Sequence, residues 1–272
     1  DTIDRLIANL DNLITNIYNN KDKPIKDINL ITTKERNIIL DKFNDTKSDY
    51  PRDLSVVDLF EMSVKENSNN IALIFEGESF TYDELNSKVN AFAHNVKKQI
   101  SVGNDDFIAL ITNRSIEMIV GIYATLKLGA AYVPIDPKHP IDRIKYILDD
   151  CNPKAIFTYG LSEEMENVLH NLENPVPIFD LDDKDTYSED ISNLNTSINP
   201  SSLVYSINTS GTSGSPKGVM VEHSNLINYC YDNSFNVLHD VFNKNYTNFL
   251  SITNYTFDIF GTELHSSLLN GL

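Results

Sequence analysis

The stretch Leu203-Val204-Tyr205-Ser206-Ile207-Asn208-Thr209-Ser210-Gly211-Thr212-Ser213-Gly214-Ser215-Pro216-Lys217-Gly218-Val219-Met220-Val221 decides how this chain is read. The apolar run Leu203 to Ile207 gives way to Thr209 to Gly214, which holds two glycines, four hydroxyl side chains and no bulky group. Glycines let backbone N–H groups turn toward one point, and hydroxyls add uncharged donors, so the segment suits an oxyanion cradle. Lys217, three residues past the last glycine, places a point charge within reach of a bound polyphosphate. By composition alone a flexible Ser/Thr/Gly linker would be the better reading. Position weighs against it: the run lies between two strand-like segments, Leu203 to Ile207 and Val219 to Val221, and contains a Pro216-Lys217-Gly218 that a linker does not require. No G-x-x-x-x-G-K-[ST] can be aligned, so this is not a Walker A loop.

Outward from this point the sequence reads as an α/β protein. From Ile71 onward apolar strand candidates alternate with amphipathic helices, the pattern of mainly parallel sheets with crossover helices. Strands are expected at Ile71 to Phe75, Phe107 to Thr112, Tyr132 to Ile135, Ala155 to Tyr159, Leu203 to Ile207 and Phe249 to Thr253. Tyr82 to Ile100 reads as a helix opened by a Thr81/Glu84 capping box, with Leu85, Val89, Phe92, Ala93 and Val96 as its buried face. A second helix, Ser115 to Leu128, should end at Gly129, where a positive φ is expected. Near the start, Ile3, Leu6, Ile7, Leu10, Leu13, Ile14 and Ile17 form one apolar helical stripe that needs something to lie against. Thr32 and Glu35 form the signature of a further capping box, opening a short helix through Ile38, Ile39 and Phe43. The polar stretch Asn44 to Asp53 reads as a linker, and Asp180 to Asp190 as a solvated loop that lacks EF-hand ligand order.

Composition narrows the function. The 272 residues, 41% of them hydrophobic, can build a substantial core. A formal net charge of -17 argues against a surface that tracks nucleic-acid phosphates. No apolar run approaches the roughly 18 residues that span a bilayer. Cys151 and Cys230 lack metal or redox spacing and read as reduced thiols of a cytoplasmic protein. The absence of an initiator Met and the ending Asn270-Gly271-Leu272 suggest a piece of a longer polypeptide.

The segment Tyr205 to Val219 resembles the phosphate-loop signature of the adenylate-forming superfamily, which includes acyl-CoA synthetases, luciferases and peptide-synthetase adenylation domains. It departs from that signature conservatively, with Ser213 where Thr is usual. Three further segments match in the expected order: Phe80-Thr81-Tyr82-Asp83-Glu84-Leu85; Leu126-Lys127-Leu128-Gly129-Ala130-Ala131-Tyr132-Val133-Pro134-Ile135-Asp136-Pro137; and Phe257-Asp258. The second is typical of the nonribosomal peptide synthetase branch. Residues 53–272 thus resemble the N-terminal portion of an adenylation domain, truncated at its C-terminal side, with the acyl-CoA synthetase/luciferase-like fold. Residues 1–52 resemble the tail of an upstream condensation domain and the linker that follows it, a short helical segment.

The resemblance implies roles residue by residue. Thr209, Ser210, Gly211, Thr212, Ser213, Gly214, Lys217 and Gly218 would hold the ATP phosphates, with Lys217, Thr209 and Thr212 closest to catalysis. Asp258 would pair with the α-ammonium of an amino-acid substrate, beside Phe257, Ile259 and Thr262 at the start of the side-chain pocket. Without the resemblance, Asp258 reads as an exposed helix N-terminal residue. Its setting between Phe257 and Ile259 would make a buried carboxylate costly unless a cation arrives. His223 reads as a helix-start residue, Tyr132 and Pro134 as packing beside the site, and His139 as loop.

Implied with these roles are ATP, Mg2+ held by a glutamate outside this chain, and phosphopantetheine on a carrier domain as acceptor. No metal ligand is expected within the chain. The alternatives are an acyl- or aryl-CoA ligase, whose substrate offers no ammonium for Asp258, and a noncatalytic scaffold. The adenine pocket, the ribose-binding acid and the catalytic lysine of the family have no counterpart in these 272 residues. The chain by itself is therefore expected not to turn over, and aminoacyl-adenylate detected with the 272 residues alone would contradict that expectation.

Overall fold

Strict alternation along Phe107–Thr112 explains how the central sheet is covered on both faces. Ile108 and Leu110 point into one apolar cluster while Ala109 and Ile111 point into another, and all four are inaccessible to solvent. The protein is described by a computed structural model over residues 2–210, 216–232 and 247–272. It divides into two compact units, Asp1–Asp49 and Tyr50–Leu272.

In the first unit, α1 (Thr2–Asn19) carries the expected apolar stripe, and Ile3, Leu6, Ile7, Leu10, Ile14 and Ile17 are exposed. Asn12 of α1 donates to the carbonyls of Asn29, Leu30 and Ile31. Thr32 caps α2 (Thr33–Asn37) by accepting from the Glu35 N–H, but only half of the expected box forms. The Glu35 carboxylate is taken by Asn9 Nδ2 at 2.6 Å, and Asn9 Oδ1 replaces it at the Thr32 N–H. Beyond α2 the chain widens into a π-helical turn, Ile38–Lys42, before the helical run ends.

The second unit opens with α3 (Val56–Asn67), set by a Ser55/Asp58 capping box. Next, β1 (Ile71–Phe75) and β2 (Glu78–Thr81) pair antiparallel as a separate hairpin. The expectation that Ile71 to Phe75 joins the parallel sheet is thereby corrected. Its cause is the two-residue turn Glu76-Gly77, with φ of 49° and 91°, which reverses the chain at once. The helix α4 (Tyr82–Gln99) has the Thr81/Glu84 box in full, and its five expected core residues are buried.

A six-stranded sheet follows, in the order β6-β5-β3-β4-β7-β8. Its strands are β3 (Phe107–Thr112), β4 (Ala131–Ile135), β5 (Ala155–Tyr159), β6 (Ile178–Asp180), β7 (Leu203–Ser210) and β8 (Pro216–Glu222). All neighbours are parallel except β7 and β8. Between them lie α5 (Ile116–Lys127), capped by Ser115 and ended at Gly129 with φ of 87°, α6 (Ile141–Cys151) and α7 (Glu163–His170). The helices α3, α4 and α5 contribute to the cluster holding Ile108 and Leu110, and α6 and α7 to the one holding Ala109 and Ile111. After β8 come α8 (His223–Cys230) and α9 (Asp258–Leu268).

Phe249 to Thr253 forms no strand, correcting that expectation. Leu250 and Ile252 are each 78% exposed, and the backbone finds side-chain partners in place of a ladder. Arg114 donates to the carbonyls of Ser251 and Thr253, while the Glu263 carboxylate accepts from the Thr253 N–H and from both hydroxyls. Burial pushes the Glu263 pKa up, but the bonds from Thr253 and Ser251 outweigh it and leave the carboxyl below its usual value.

Two polar sites lie within the core. Lys127 is 1% exposed, and its ammonium is satisfied by Glu61 at 2.5 Å, Asn86 at 2.8 Å and Asn193 at 3.0 Å, tying α3, α4 and α5 to residue 193. His223 and His265 are wholly buried. His223 Nδ1 accepts from the Val56 N–H and His265 Nδ1 meets the Tyr123 hydroxyl, while both Nε2 atoms have no partner.

Burial holds His223 down to about 4, against partial opposition from Asp58 and Asp105. Burial and the neighbouring His223 hold His265 down to about 3. In the unfolded chain both rings titrate near 6.5. Folding then disfavours proton uptake, so stability is full above pH 6.5 and falls as pH drops from there toward 4 and 3. The urea midpoint should therefore decline between pH 7 and 4.5, and His265→Asn should flatten that decline. A variant with the same pH slope as the parent would show that the buried pair does not set it.

Candidate functional site

Thr209 stands near the C-terminal end of β7, directly opposite Lys217 of β8, whose carbonyl accepts from the Thr209 hydroxyl at 3.4 Å. Gly211, Thr212, Ser213 and Gly214 lie outside the described residues, as does the side chain of Ser210. Lys217 is exposed. Gly218 sits opposite Asn208, and a Cβ there would come within 2.8 Å of Ser206 Oγ, which gives this glycine a packing reason.

A cavity of about 650 Å3 opens beside Thr209. Ile207, Asn208 and Thr209 line it from β7, Pro134 from β4, and Arg143 and Ile147 from α6. Phe257 and Asp258 line it from the start of α9. It lies at the C-terminal ends of parallel strands, where open α/β sheets take their ligands. The strands β4 and β7 share only the register pair Tyr132 and Tyr205, so beyond it the sheet does not close the space.

Asp258 is exposed, and Phe257 and Ile259 beside it are 60% and 53% exposed. The apolar enclosure expected around this carboxylate is therefore absent among the described residues. The carboxylate bonds to the Ile259 N–H at 2.9 Å, consistent with a first-turn helical acid. It also adds to burial in pushing the Tyr205 hydroxyl up to about 12. A smaller cavity of about 370 Å3 adjoins, sharing Tyr205, Val221 and Asp258 and bringing in Ile259, Thr262 and Tyr229. The structure thus gathers Thr209, Phe257, Asp258, Ile259 and Thr262 around two adjoining cavities and leaves Lys217 and Gly218 outside their linings.

The approach to α9 is held by buried hydrogen bonds. The Tyr255 oxygen lies 2.6 Å from the Ile135 carbonyl and 3.0 Å from that of Thr112, and accepts from the Thr112 N–H at 3.2 Å. It thereby ties the ends of β3 and β4 to the turn before Asp258. Asn254 donates to Asp136, just after β4, at 2.8 Å. Tyr132 is buried as expected for packing, and Pro134 reaches the cavity wall. His223 begins α8 inside the core, away from both linings.

Sequence reasoning missed Asn208, Arg143 and the cavity role of His139. For His139 and Arg143 the signal was available: residues 136–143 follow a strand end of a parallel sheet. Among the described residues, ten buried side-chain polar atoms lack partners, and three of them, Asn208 Oδ1, His139 Nδ1 and Arg143 Nε, belong to this one lining. Such clustering fits a polar ligand, because buried polar atoms are otherwise almost always paired. Among the described residues no group of three His, Cys, Asp or Glu side chains could hold a metal. No described helix is long and apolar enough to cross a membrane, and Cys151 and Cys230 are free thiols.

Known proteins agree with this architecture. The family model described as AMP-binding enzyme matches residues 60–272, and the chain belongs to that family. Gramicidin S synthase 2 of Brevibacillus brevis is 40% identical over 227 residues, which is 84% of this chain and 5% of that protein. Bacitracin synthase 2 of Bacillus licheniformis is 34% identical over 277 residues, 100% of this chain and 10% of the relative. The chain thus spans a small fraction of the length of the curated relatives it matches. Among solved structures, the nonribosomal peptide synthetase FmoA3 superposes with a TM-score of 0.79 at 20% identity, over 99% of this chain and 28% of that one. The N-terminal subdomain of Klebsiella oxytoca NpsA gives 0.67 at 20% identity, over 81% and 54%. At that identity the likeness is one of fold, here the α/β adenylate-forming fold.

Removing the Tyr255 hydroxyl while keeping its ring should isolate its part in holding this site. Tyr255→Phe leaves the Thr112 N–H and the Ile135 carbonyl short of a partner and should cost about 1–3 kcal/mol in chemical denaturation. A loss within about 0.5 kcal/mol, the range of ordinary surface changes, would show that the hydroxyl does not hold the strand ends.

Proposed function

We propose that this chain is part of a nonribosomal peptide synthetase adenylation domain that activates an amino acid with ATP. One observation carries the proposal: a single cavity is lined both by Thr209, at the edge of the Ser/Thr/Gly loop, and by Asp258. A substrate with a phosphate tail and an ammonium group would find a partner for each there. The polar atoms of Asn208 and His139 left without partners in the same wall are compatible with nucleotide binding.

In the proposed reaction Asp258 accepts hydrogen bonds from the α-ammonium and holds the amino acid with its carboxylate toward ATP. A carboxylate oxygen attacks the α phosphorus, the bond from that phosphorus to the bridging oxygen breaks, and pyrophosphate leaves with the electron pair. Thr209, Ser210, Gly211, Thr212, Ser213 and Gly214, with Lys217 and Gly218, would stabilise the charge that gathers on the leaving pyrophosphate. Phe257, Ile259 and Thr262 would border the side chain of the amino acid. Mg2+, which would be held by a glutamate outside this chain, would neutralise charge on the phosphates. The aminoacyl group would pass to a phosphopantetheine thiol on a carrier domain, with residues 1–52 as the tail of a condensation domain and a linker in one cytoplasmic polypeptide. The likeness to gramicidin S synthase 2 and bacitracin synthase 2, of which this chain spans only 5% and 10%, supports this arrangement.

The test is amino-acid-dependent ATP/pyrophosphate exchange by the full-length protein across the common amino acids. Lys217→Ala should lower exchange about a hundredfold, as loss of one transition-state donor does. Asp258→Ala should raise the KM of the amino acid about tenfold, a modest factor because the carboxylate is exposed. Wild-type exchange by Lys217→Ala would remove the phosphate role, and an unchanged amino-acid KM for Asp258→Ala would remove the ammonium role.

A further inference from the structure

Arg143 is the cation that the reading above does not use. It lies in the first turn of α6, and its side chain lines the 650 Å3 cavity that Thr209 and Asn208 line from β7. Its Nε is buried and has no hydrogen-bond partner, and no ion pair among the described residues uses its guanidinium. The other arginine near the sheet's C-terminal edge, Arg114, is by contrast occupied by the Ser251 and Thr253 carbonyls. A guanidinium left unmatched in a partly enclosed space is costly unless an anion joins it.

The surroundings indicate which anion. His139, beside Arg143 in the same wall, is lowered by burial first and then by the Arg143 charge, with Asp136 opposing. The permanent positive charge in the described lining is therefore the guanidinium, and the one carboxylate there is Asp258, contributed by a different element. In a chain of net charge -17 the lining thus brings together one charge of each sign, and partly enclosed walls strengthen the field around each. A planar fork of N–H donors, in a lining that also holds Thr209 and Thr256, matches the oxygens of a phosphate group.

We propose that Arg143 is a phosphate-binding residue of this cavity. The proposal rests on the reading of the cavity as the activation site and adds a group to it. The phosphate can come from the nucleotide, as the polyphosphate that leaves, or from the phosphopantetheine arm that collects the aminoacyl group.

The test uses the full-length protein with Arg143→Gln and Arg143→Lys. In exchange assays, Arg143→Gln should raise the KM of pyrophosphate about tenfold to a hundredfold with the KM of the amino acid unchanged. Arg143→Lys should recover part of the loss, and both variants should melt with the parent. That result assigns the nucleotide phosphates. Wild-type exchange constants with aminoacyl transfer to the carrier slowed by a similar factor would assign the arm's phosphate instead. Wild-type values in both assays, or a change confined to the KM of the amino acid, would overturn the proposal. Should the parent show no amino-acid-dependent exchange at all, the activation reading fails first. Calorimetric titration with inorganic pyrophosphate then decides separately: equal affinity of the parent and Arg143→Gln, or no binding by either, would overturn it, and weaker binding by the variant would sustain it.

Discussion

Two neighbouring parallel strands that meet at a single register pair create the space on which the site depends. β4 and β7 are joined at Tyr132 and Tyr205, and toward their C-terminal ends no ladder fills the gap. A fully paired sheet would place backbone there and satisfy it internally. Because pairing stops, the wall is made by side chains from β4, α6, β7 and α9, which are free to differ in chemistry. Such a gap is stable only if the strand ends are held by something other than their mutual hydrogen bonds. Tyr255 supplies part of this by bonding Thr112 and Ile135 at the ends of β3 and β4, and Asn254 does so by bonding Asp136. The residues just before Asp258 therefore serve the sheet and the site together.

The same economy explains the segment Phe249 to Thr253, where sequence reasoning expected a strand. Its apolar residues Leu250 and Ile252 suggested alternation, yet both face solvent. Its backbone groups are claimed by Arg114, 137 residues away from Ser251, and by Glu263 on the following helix, and no strand-length pattern reveals that competition. The β1–β2 hairpin was misread for a different reason. Ile71 to Phe75 is apolar enough for a sheet interior, and the deciding signal was the turn Glu76-Gly77, which imposes antiparallel pairing whatever the strand composition. Elements defined by local rules were legible: the Thr81/Glu84 box, the Ser115 cap, the Gly129 stop and the buried face of α4 all follow from short-range sequence.

The site divides along the same line. Thr209 and Asp258 lie in contiguous motifs, so their importance could be read directly, and the structure adds that one cavity contains both. Arg143 carries no motif of its own. Helical position says only that Arg143 falls in the first turn of α6, where a cation is unfavourably placed against the helix dipole. That mild misfit is a signal a sequence can offer, and it gains meaning only once the neighbouring wall is known.

Charge placement links these observations. Lys127, the deeply buried cation, is balanced at once by Glu61 and two asparagines, and Arg114 by carbonyls and the nearby Glu263. Evidently the fold can neutralise a cation where structure alone requires it. Leaving Arg143 without such a partner, in a lining whose one carboxylate comes from the start of α9, keeps two opposite charges apart across a shared space. Were they close enough to pair, each would quench the other and the cavity would attract neither sign. Held on separate elements, they give the cavity a polarity suited to a ligand with an ammonium at one end and phosphate at the other. The framework that fixes the starts of both helices, β4 leading toward α6 and bonded to Tyr255 before α9, is then as much a part of recognition as the charged groups themselves.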